Sequence, residues 1–522
     1  MRTLSVLAGL LAATAVLPAT VLPANAAVLK VRGATSVTLG DASEIPAYDP
    51  SGDRLFVVGL NGDDAFVKIV DAKTSTEIGA LDTHSYFAGG AANSVAVGGG
   101  KVAVAIQAAN KTDPGRVLVY DLANLSAAPQ AFTVGALPDQ ISFSADGTRL
   151  LVANEGEPSS YGKADSVDPE GSISYIDLAA GTVKTAGFGA FNDKKSELQA
   201  KGVRIFGPGA SVAQDLEPEY TAFSPDGKSA FVTLQENNAI AVVDLTGAEP
   251  VVTDIIPLGF KSYAPGANRM DPSDRDGIKG NLQSTEGLYG LYLPDAIKSF
   301  TSNGKTYFVT ADEGDAREWD GLVEEVRAGT LGDYGVFNRL GVTSTPGAEG
   351  PADAKLFAFG GRGFSILDEN GNRVFDSGDV IERIMAARFP DAYDDGRSDN
   401  KGPEPEGIEI GILDGRMVLF VGLERSNGVD LGSVLAFDIT DFGLGIAPKY
   451  LGAIVSDLLG RPEGLSFFTR DGKSFLAVAD EQTGNLAIFA LNLVSEPAVM
   501  GLFGLGLAGL LAMRRRRTKA AA

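Results

Sequence analysis

One unit returns seven times along this chain, and such a repeat constrains the fold more tightly than any composition does. The unit opens with an acidic or amide residue, often beside proline. A short apolar strand follows, then a turn rich in Asp-Gly or Asn-Gly, a second strand, a polar or acidic stretch, and a third strand often ending in Asp. Glu217–Leu245, EPEYTAFSPDGKSAFVTLQENNAIAVVDL, is the clearest copy. The others start at Glu44, Asn93, Pro138, Glu286, Pro403 and Arg461; the fifth opens on EGLYGLYL and resumes at Lys355–Asp368, KLFAFGGRGFSILD. Three or four short strands per unit, repeated radially, predict an all-β, seven-bladed β-propeller. The stretches 185–215, 260–284, 315–350 and 370–402 read as inserted loops and short helices, with VEEVRAGT and DVIERIMAARF helical by spacing. Ala34–Leu39 precedes the first unit and alternates apolar with polar residues. It is expected to pair outside Asn485–Leu491 and close the ring, because an open sheet edge is a liability.

The two ends read as targeting segments. Arg2, the apolar run Leu4–Val21 and Ala24-Asn25-Ala26 form a secretory signal peptide pattern over residues 1–26. At the other end, Ala498–Met513 is an apolar run followed by Arg514–Arg517. As a helix it spans about 24 Å, short of a hydrocarbon core of roughly 30 Å, so it reads as a transient or marginal anchor with its arginines on the cytoplasmic side. The expected division is 1–26 signal peptide, 27–493 propeller and 494–522 sorting or anchor segment.

Composition narrows the chemistry. There is no cysteine and a single histidine, His84. Disulfides, thiolate catalysis, Cys-ligated zinc and multi-His metal centres are therefore excluded. His84 lies in THSYFAGG, away from any acid-rich motif, and reads as an ordinary loop residue. Neither haem, zinc nor nucleotide is expected. The net charge is −23, and residues 1–26 and 498–522 carry no acid, so the body between them is more acidic still. Such a surface repels nucleic acid and anionic lipid and attracts cations.

The acids are also placed. In a propeller the first strand of each blade lines the channel and the second runs back beside it. Residues before the first strand and after the second must then share one face. That reasoning groups Asp139 with Glu155 and Glu157, and Glu217 and Glu219 with Glu236. It groups Glu286 with Asp312, Glu313 and Asp315, Glu404 and Glu406 with Glu424, and Glu463 with Asp480 and Glu481. Glu44 opens the first unit, and the second carries Asn93 and Gln107 instead. Clustered carboxylates must be protonated, paired with arginine, or bridged by a cation. All-oxygen sites suit Ca²⁺ or Mg²⁺, and Arg397, Arg425 and Arg461 are the internal alternatives. A simpler reading is that the acids hydrogen-bond backbone amides and knit the blades together. A second calcium candidate is DENGNRVFDSGD, where Asp368, Asn370, Asn372, Asp376 and Asp379 take positions 1, 3, 5, 9 and 12 of an EF-hand-like loop. Against it, Arg373 stands where glycine is required, and Asn370-Gly371 is a hairpin signal.

The phrases DLEPEYTAFSPDGKSAFVTLQENNAIAVVDL, SDRDG, TADEGDAREW, FGGRGFSILDENGNRVFDSGD, RSDNKGPEPEGIEIG and RPEGLSFF run in order through nearly all of 28–493. In these the chain resembles the choice-of-anchor I family, the mesenchyme-specific cell surface glycoprotein-like proteins. The tail resembles a PEP-CTERM sorting signal, with Ser495-Glu496-Pro497 in place of Pro-Glu-Pro. These resemblances imply a propeller exported to the cell surface or extracellular matrix of a Gram-negative bacterium, transiently anchored in the inner membrane and handled by exosortase-type machinery. They imply no established reaction, although some members are fused to phosphatases. PEGL followed by DGK, Arg461–Lys473, is a weaker likeness to β-propeller phytases, and lactonase-type propellers also hold a central divalent ion. Two function classes follow: a binding or structural propeller with an acidic, calcium-binding axial face and an unidentified envelope or extracellular ligand, or a cation-dependent hydrolase of phosphoesters or lactones.

Overall fold

A computed structural model describes residues 27–62, 64–425 and 431–495. The signal segment 1–26 and the tail 496–522 lie outside the described residues. Seven four-stranded sheets follow one another along the chain, the fifth interrupted by insertions and the seventh completed by the first strand. Their innermost strands are Ala42–Asp49, Ala91–Gly98, Pro138–Phe143, Pro218–Phe223, Ile297–Ser302, Pro405–Leu413 and Pro462–Arg470. Each touches the next in this order, and the last touches the first. The sheets therefore stand radially around one axis, the arrangement of a β-propeller. The ring is closed between the ends of the chain. Ala27–Thr38 forms the outer strand beside Asn485–Ser495, with Arg32 Nε donating to Asn492 Oδ1 at 2.7 Å and Leu39 N to the Gly484 carbonyl at 2.9 Å.

The second strand of each blade shows why these segments are sheet. Arg149–Asn154, RLLVAN, is apolar at adjacent positions because both of its faces are buried. Leu150 and Val152 pack toward the second blade with Ile141 and Val117. Leu151 packs the other way, with Ile173, Phe223 and Val232 of the third and fourth blades. Arg54–Asn61 repeats the pattern: Phe56 and Val58 enter the core shared with the second blade, Leu55 and Val57 the core shared with the seventh. Alternating side chains thus glue each blade to both neighbours.

Six of the seven innermost strands begin with a distortion, and the fifth, Ile297–Ser302, pairs in unbroken register. Pro218 pairs with Leu234 and Thr221 with Val232, so Glu219 and Tyr220 oppose the single residue Thr233. The same register shift occurs between Ser43 and Pro46, Ala92 and Ser94, Pro138 and Ile141, Pro405 and Ile408, and Pro462 and Leu465. A bulge frees one residue from the ladder and re-aims its side chain. In each of these six blades that residue is the acid, or the amide Asn93; in the fifth, Asp295 stands just before the inner strand.

The inserted segments build an accessory sheet in the strand order Phe260–Ser262, Leu288–Leu291, Leu356–Ala358, Gly341–Thr343, Glu325–Arg327. This corrects two sequence expectations. EGLYGLYL is not the inner strand of the fifth blade; Leu288–Leu291 pairs in parallel with Leu356–Ala358 in the accessory sheet. The inner strand is Ile297–Ser302. VEEVRAGT is not helical, because Glu325–Arg327 pairs with Gly341–Thr343. DVIERIMAARF does hold a helix, Val380–Arg388. Buried arginines tie the insertions down, since a guanidinium can satisfy several carbonyls of irregular backbone at once. Arg362 donates to the carbonyls of Asp271, Ser398 and Asn400 and pairs with Glu382 at 3.1 Å. Arg204 donates to the carbonyls of Glu236 and Pro346 and pairs with Glu324.

Candidate functional site: an acidic axial funnel

The six bulges, and Asp295 just before the fifth inner strand, bring their side chains together on one face. Glu44, Asn93, Asp139, Glu219, Asp295, Glu406 and Glu463 all line one cavity of about 400 Å³. Asp295 belongs to this ring and Glu286 does not: Glu286 is exposed, in the loop before the accessory strand. Gln107, Glu155 and Glu157, from the ends of second strands, border the same cavity. Glu219 and Glu236 are likewise neighbours on this face.

The arginines foreseen as partners do not reach the ring. Arg397 donates to Glu404 at 2.7 Å, Arg425 pairs with Glu404 at 3.4 Å and Glu424 at 2.6 Å, and Arg461 pairs with Glu481 at 3.4 Å. Glu217 is likewise withdrawn, held by Arg317 at 3.2 Å, an interaction with no signal in the sequence. Asp480 accepts the backbone N–H groups of Gly460 and Arg461 at 2.7 Å and serves as a structural knit. Asp312 accepts from Ser365 and Thr310. What remains without a basic ion-pair partner, among the described residues, is the inner set. Carboxylate oxygens of Asp295, Glu313 and Glu406 lie within 4.8 Å of one another, as do those of Glu313, Glu404 and Glu424. Gln235 Nε2 donates to Glu313 at 2.8 Å, while Glu406 Oε2 is sealed from solvent with no partner.

Burial dominates the electrostatics. It pushes the Glu44 and Asp139 carboxyls up to about 7, with Glu481 and Glu44 respectively adding repulsion. Glu219, Asp295, Glu313, Glu406 and Glu463 are driven well above the usual carboxylate range, first by burial and then by one another. Tyr220, next to Glu219 in its bulge, stands between the funnel and a cavity of about 890 Å³ toward the other face, bordering both. Burial and then the field of Asp295 and Asp139 keep its phenol protonated.

The second calcium candidate does not assemble. Asp368–Asp379 is a hairpin in which Ser365 pairs with Asp376, with Gly371 at φ +77° in its turn. Asp368 accepts from the N–H groups of Asn370 and Asn372. Asp376 is held by Lys261 at 3.0 Å and Tyr292 at 2.8 Å, and Asp379 by Arg269 at 3.3 Å and Arg383 at 3.4 Å. Among the described residues, Asp368, Asp376 and Asp379 do not bring their carboxylates together. His84 is an exposed loop residue 3.0 Å from Asp64.

Residues 44–442 match the choice-of-anchor I domain, and residues 493–517 match the PEP-CTERM protein-sorting motif. The chain belongs to the choice-of-anchor I family. It is an exported, cell-surface-associated bacterial β-propeller protein, and its sorting motif is of the kind recognised by exosortase machinery. The chain is similar to Gigasin-3a of Magallana gigas, 34% identical over 93 residues, covering 15% of this chain and 33% of that protein. It is also similar to the mesenchyme-specific cell surface glycoprotein of Strongylocentrotus purpuratus, 29% identical over 239 residues, 35% of this chain and 30% of the relative. It thus spans about a third of each relative. Among solved structures, hydrazine synthase of Kuenenia stuttgartiensis (15% identity) and the Myceliophteria thermophila Cps50 (Swd1) β-propeller domain (9%) each align with a TM-score of 0.44, over 90% of this chain and 99% of theirs.

Proposed function

We propose that this surface propeller is a binding or structural protein whose axial funnel holds a divalent cation, calcium by donor type, on Asp295, Glu313 and Glu406. The observation that carries the reading is the convergence of these three carboxylates from the fifth and sixth blades without a basic ion-pair partner. Hard oxygen donors alone suit Ca²⁺, which takes six to eight of them, the remainder being water, ligand or neighbouring acids. A bound ion also offsets the repulsion that burial imposes on the ring. The propeller segment is 27–493 on this reading, flanked by a signal peptide and a tail that anchors the chain transiently in the inner membrane.

The test is a calorimetric Ca²⁺ titration of the purified protein after EDTA treatment. Binding to the native state at a hundred times Kd stabilises by about 2.7 kcal/mol. With an unfolding entropy near 1 kcal/mol/K for a ring of this size, that raises Tm by about 3 °C. Asp295→Asn and Glu406→Gln should abolish both heat and shift. Absence of heat and of any Tm change in the unmodified protein refutes the site.

One observation favours a second reading. The 400 Å³ funnel opens beside Asp295 and Glu406, leaving room for water and substrate at an ion. A cation-dependent hydrolase of phosphoesters or lactones would use the ion to polarise the substrate and a funnel acid to activate water. Turnover of a phosphoester or lactone that stops with EDTA and in Asp295→Asn would establish it; none across a broad screen leaves the binding protein.

A further inference from the structure

Two cavities lie inside the ring, the acidic funnel of about 400 Å³ and the chamber of about 890 Å³ beyond it. The residues that follow the acid or amide of each blade mark the boundary. In the first four blades these are Ile45, Ser94, Gln140 and Tyr220, and all four border both cavities. In the last three blades they are Ala296, Gly407 and Gly464, which carry at most a methyl group and border the larger chamber. One large aromatic side chain therefore faces three positions that leave room for it.

The fourth-blade bulge holds this side chain firmly. The Tyr220 N–H, displaced from the ladder, donates to Thr233 Oγ1 at 2.9 Å. Thr221 donates both its N–H and its hydroxyl to Gln140 Oε1 of the third blade, each at 2.9 Å. The irregular backbone is thus satisfied by side chains on either side. Tyr220 packs against the core shared by the fifth and sixth blades, which includes Ala296 and Ile408. Burial, then the fields of Asp295, Asp139, Glu463 and Glu406, keep its hydroxyl protonated. Those acids come from the fifth, third, seventh and sixth blades, so the phenol of the fourth stands among carboxyls from both sides of the ring.

We propose that Tyr220 is a positioning residue of the cation site: its uncharged ring forms the floor of the funnel and shuts the ion off from the chamber beyond. The floor presupposes the cation proposed on Asp295, Glu313 and Glu406. Ca²⁺ fills its six to eight oxygen positions readily with water, and an open axis would supply water from both faces. With the floor in place, ion, water and ligand exchange only through the acidic mouth.

Terbium(III) replaces Ca²⁺ at all-oxygen sites and luminesces when a tyrosine beside it is excited. Among the described residues Tyr220 is the one tyrosine bordering the funnel, and Trp319, the single tryptophan, lies outside its lining. The exported protein, stripped of metal, is titrated with Tb³⁺ beside Tyr220→Phe and Tyr220→Ala, with calorimetry to verify that the ion is bound. At equal occupancy, emission excited through tyrosine should fall by more than half in Tyr220→Phe. Lifetimes in H₂O and D₂O should give that variant the same number of bound waters as the parent, because its ring still closes the floor. Tyr220→Ala should admit at least one more water. Emission in Tyr220→Phe that keeps more than half its strength overturns the placement, and an unchanged water number in a folded Tyr220→Ala overturns the floor. If Tyr220→Ala does not fold, the emission of Tyr220→Phe decides alone. No binding of Tb³⁺ or Ca²⁺ by the unmodified protein overturns the cation site and the floor with it, whereas a bound ion with unchanged emission and hydration overturns the floor only.

Discussion

Glu44→Gln should make this protein more stable, and only at neutral and alkaline pH. Glu44 sits in the first bulge, half-buried, and burial followed by the charge of Glu481 raises its carboxyl from 4.5 to about 7. The folded value lies above the unfolded one. Stability is therefore greatest below about pH 4.5, falls as pH rises toward 7, and is flat beyond. At 1.36 kcal/mol per unit the shift corresponds to about 3 kcal/mol, and partial solvent contact reduces this to about 2 kcal/mol. Glutamine reproduces the shape and polarity of the protonated acid. The variant should thus match the parent at pH 4.5 and exceed it by about 2 kcal/mol at pH 8. For roughly 460 residues the unfolding entropy is near 1 kcal/mol/K, so the gain is about 2 °C in Tm. Scanning calorimetry of both proteins at half-unit pH steps in EDTA measures it. A gain of equal size at both pH extremes, or a loss at pH 8, would refute the placement of Glu44 in a cation-poor ring.

Two further outcomes test the architecture. Deleting residues 27–38 removes the closing strand and opens an edge along Asn485–Ser495; the whole propeller should lose about 5 °C in Tm in one transition, and an unchanged melt would show that closure is dispensable. Gly407→Ala should destabilise by about 2 kcal/mol or more, because the added Cβ would stand 2.0 Å from the Glu463 carbonyl of the next blade; denaturant unfolding with an unchanged midpoint would contradict so close an approach.

Much of this was legible in the sequence because one rule repeats. An acid, usually after proline, precedes an apolar strand and a tight turn. The rule failed once, for an identifiable reason. Glu286-Gly287-Leu288 copies the start of Glu463-Gly464-Leu465, and so masqueraded as a blade opening. Spacing distinguishes them. Glu219 stands seven residues before Asp226, and Asp295 stands eight before Asn303, but Glu286 is seventeen from that turn. The true opening, Pro294-Asp295, follows the rule. The arginine ties were not legible. Arg317 meets Asp215 and Glu217 across about a hundred residues, and only the accessory sheet brings them together. The EF-hand-like spacing failed locally: the turn at Asn370-Gly371 reverses the chain before the later acids can close around an ion.

The second blade indicates what the ring is for. Asn93 occupies the position that acids take in the other six blades, and its amide donates to Gln107 Oε1 at 3.1 Å and the Pro138 carbonyl at 2.9 Å. A neutral amide therefore fills the position and knits one blade to the next. If knitting were the whole purpose, amides would serve at all seven positions, without the repulsion that drives the carboxyls upward. Six acids stand there instead, and Glu406 Oε2 is buried with nothing bonded to it. Placing charge where the fold accepts an amide lowers stability, and sites that do so are characteristically functional. Carboxylate oxygens of Asp295, Glu313 and Glu406 come within 4.8 Å of one another, and on the proposed function a divalent cation there would turn mutual repulsion into shared coordination.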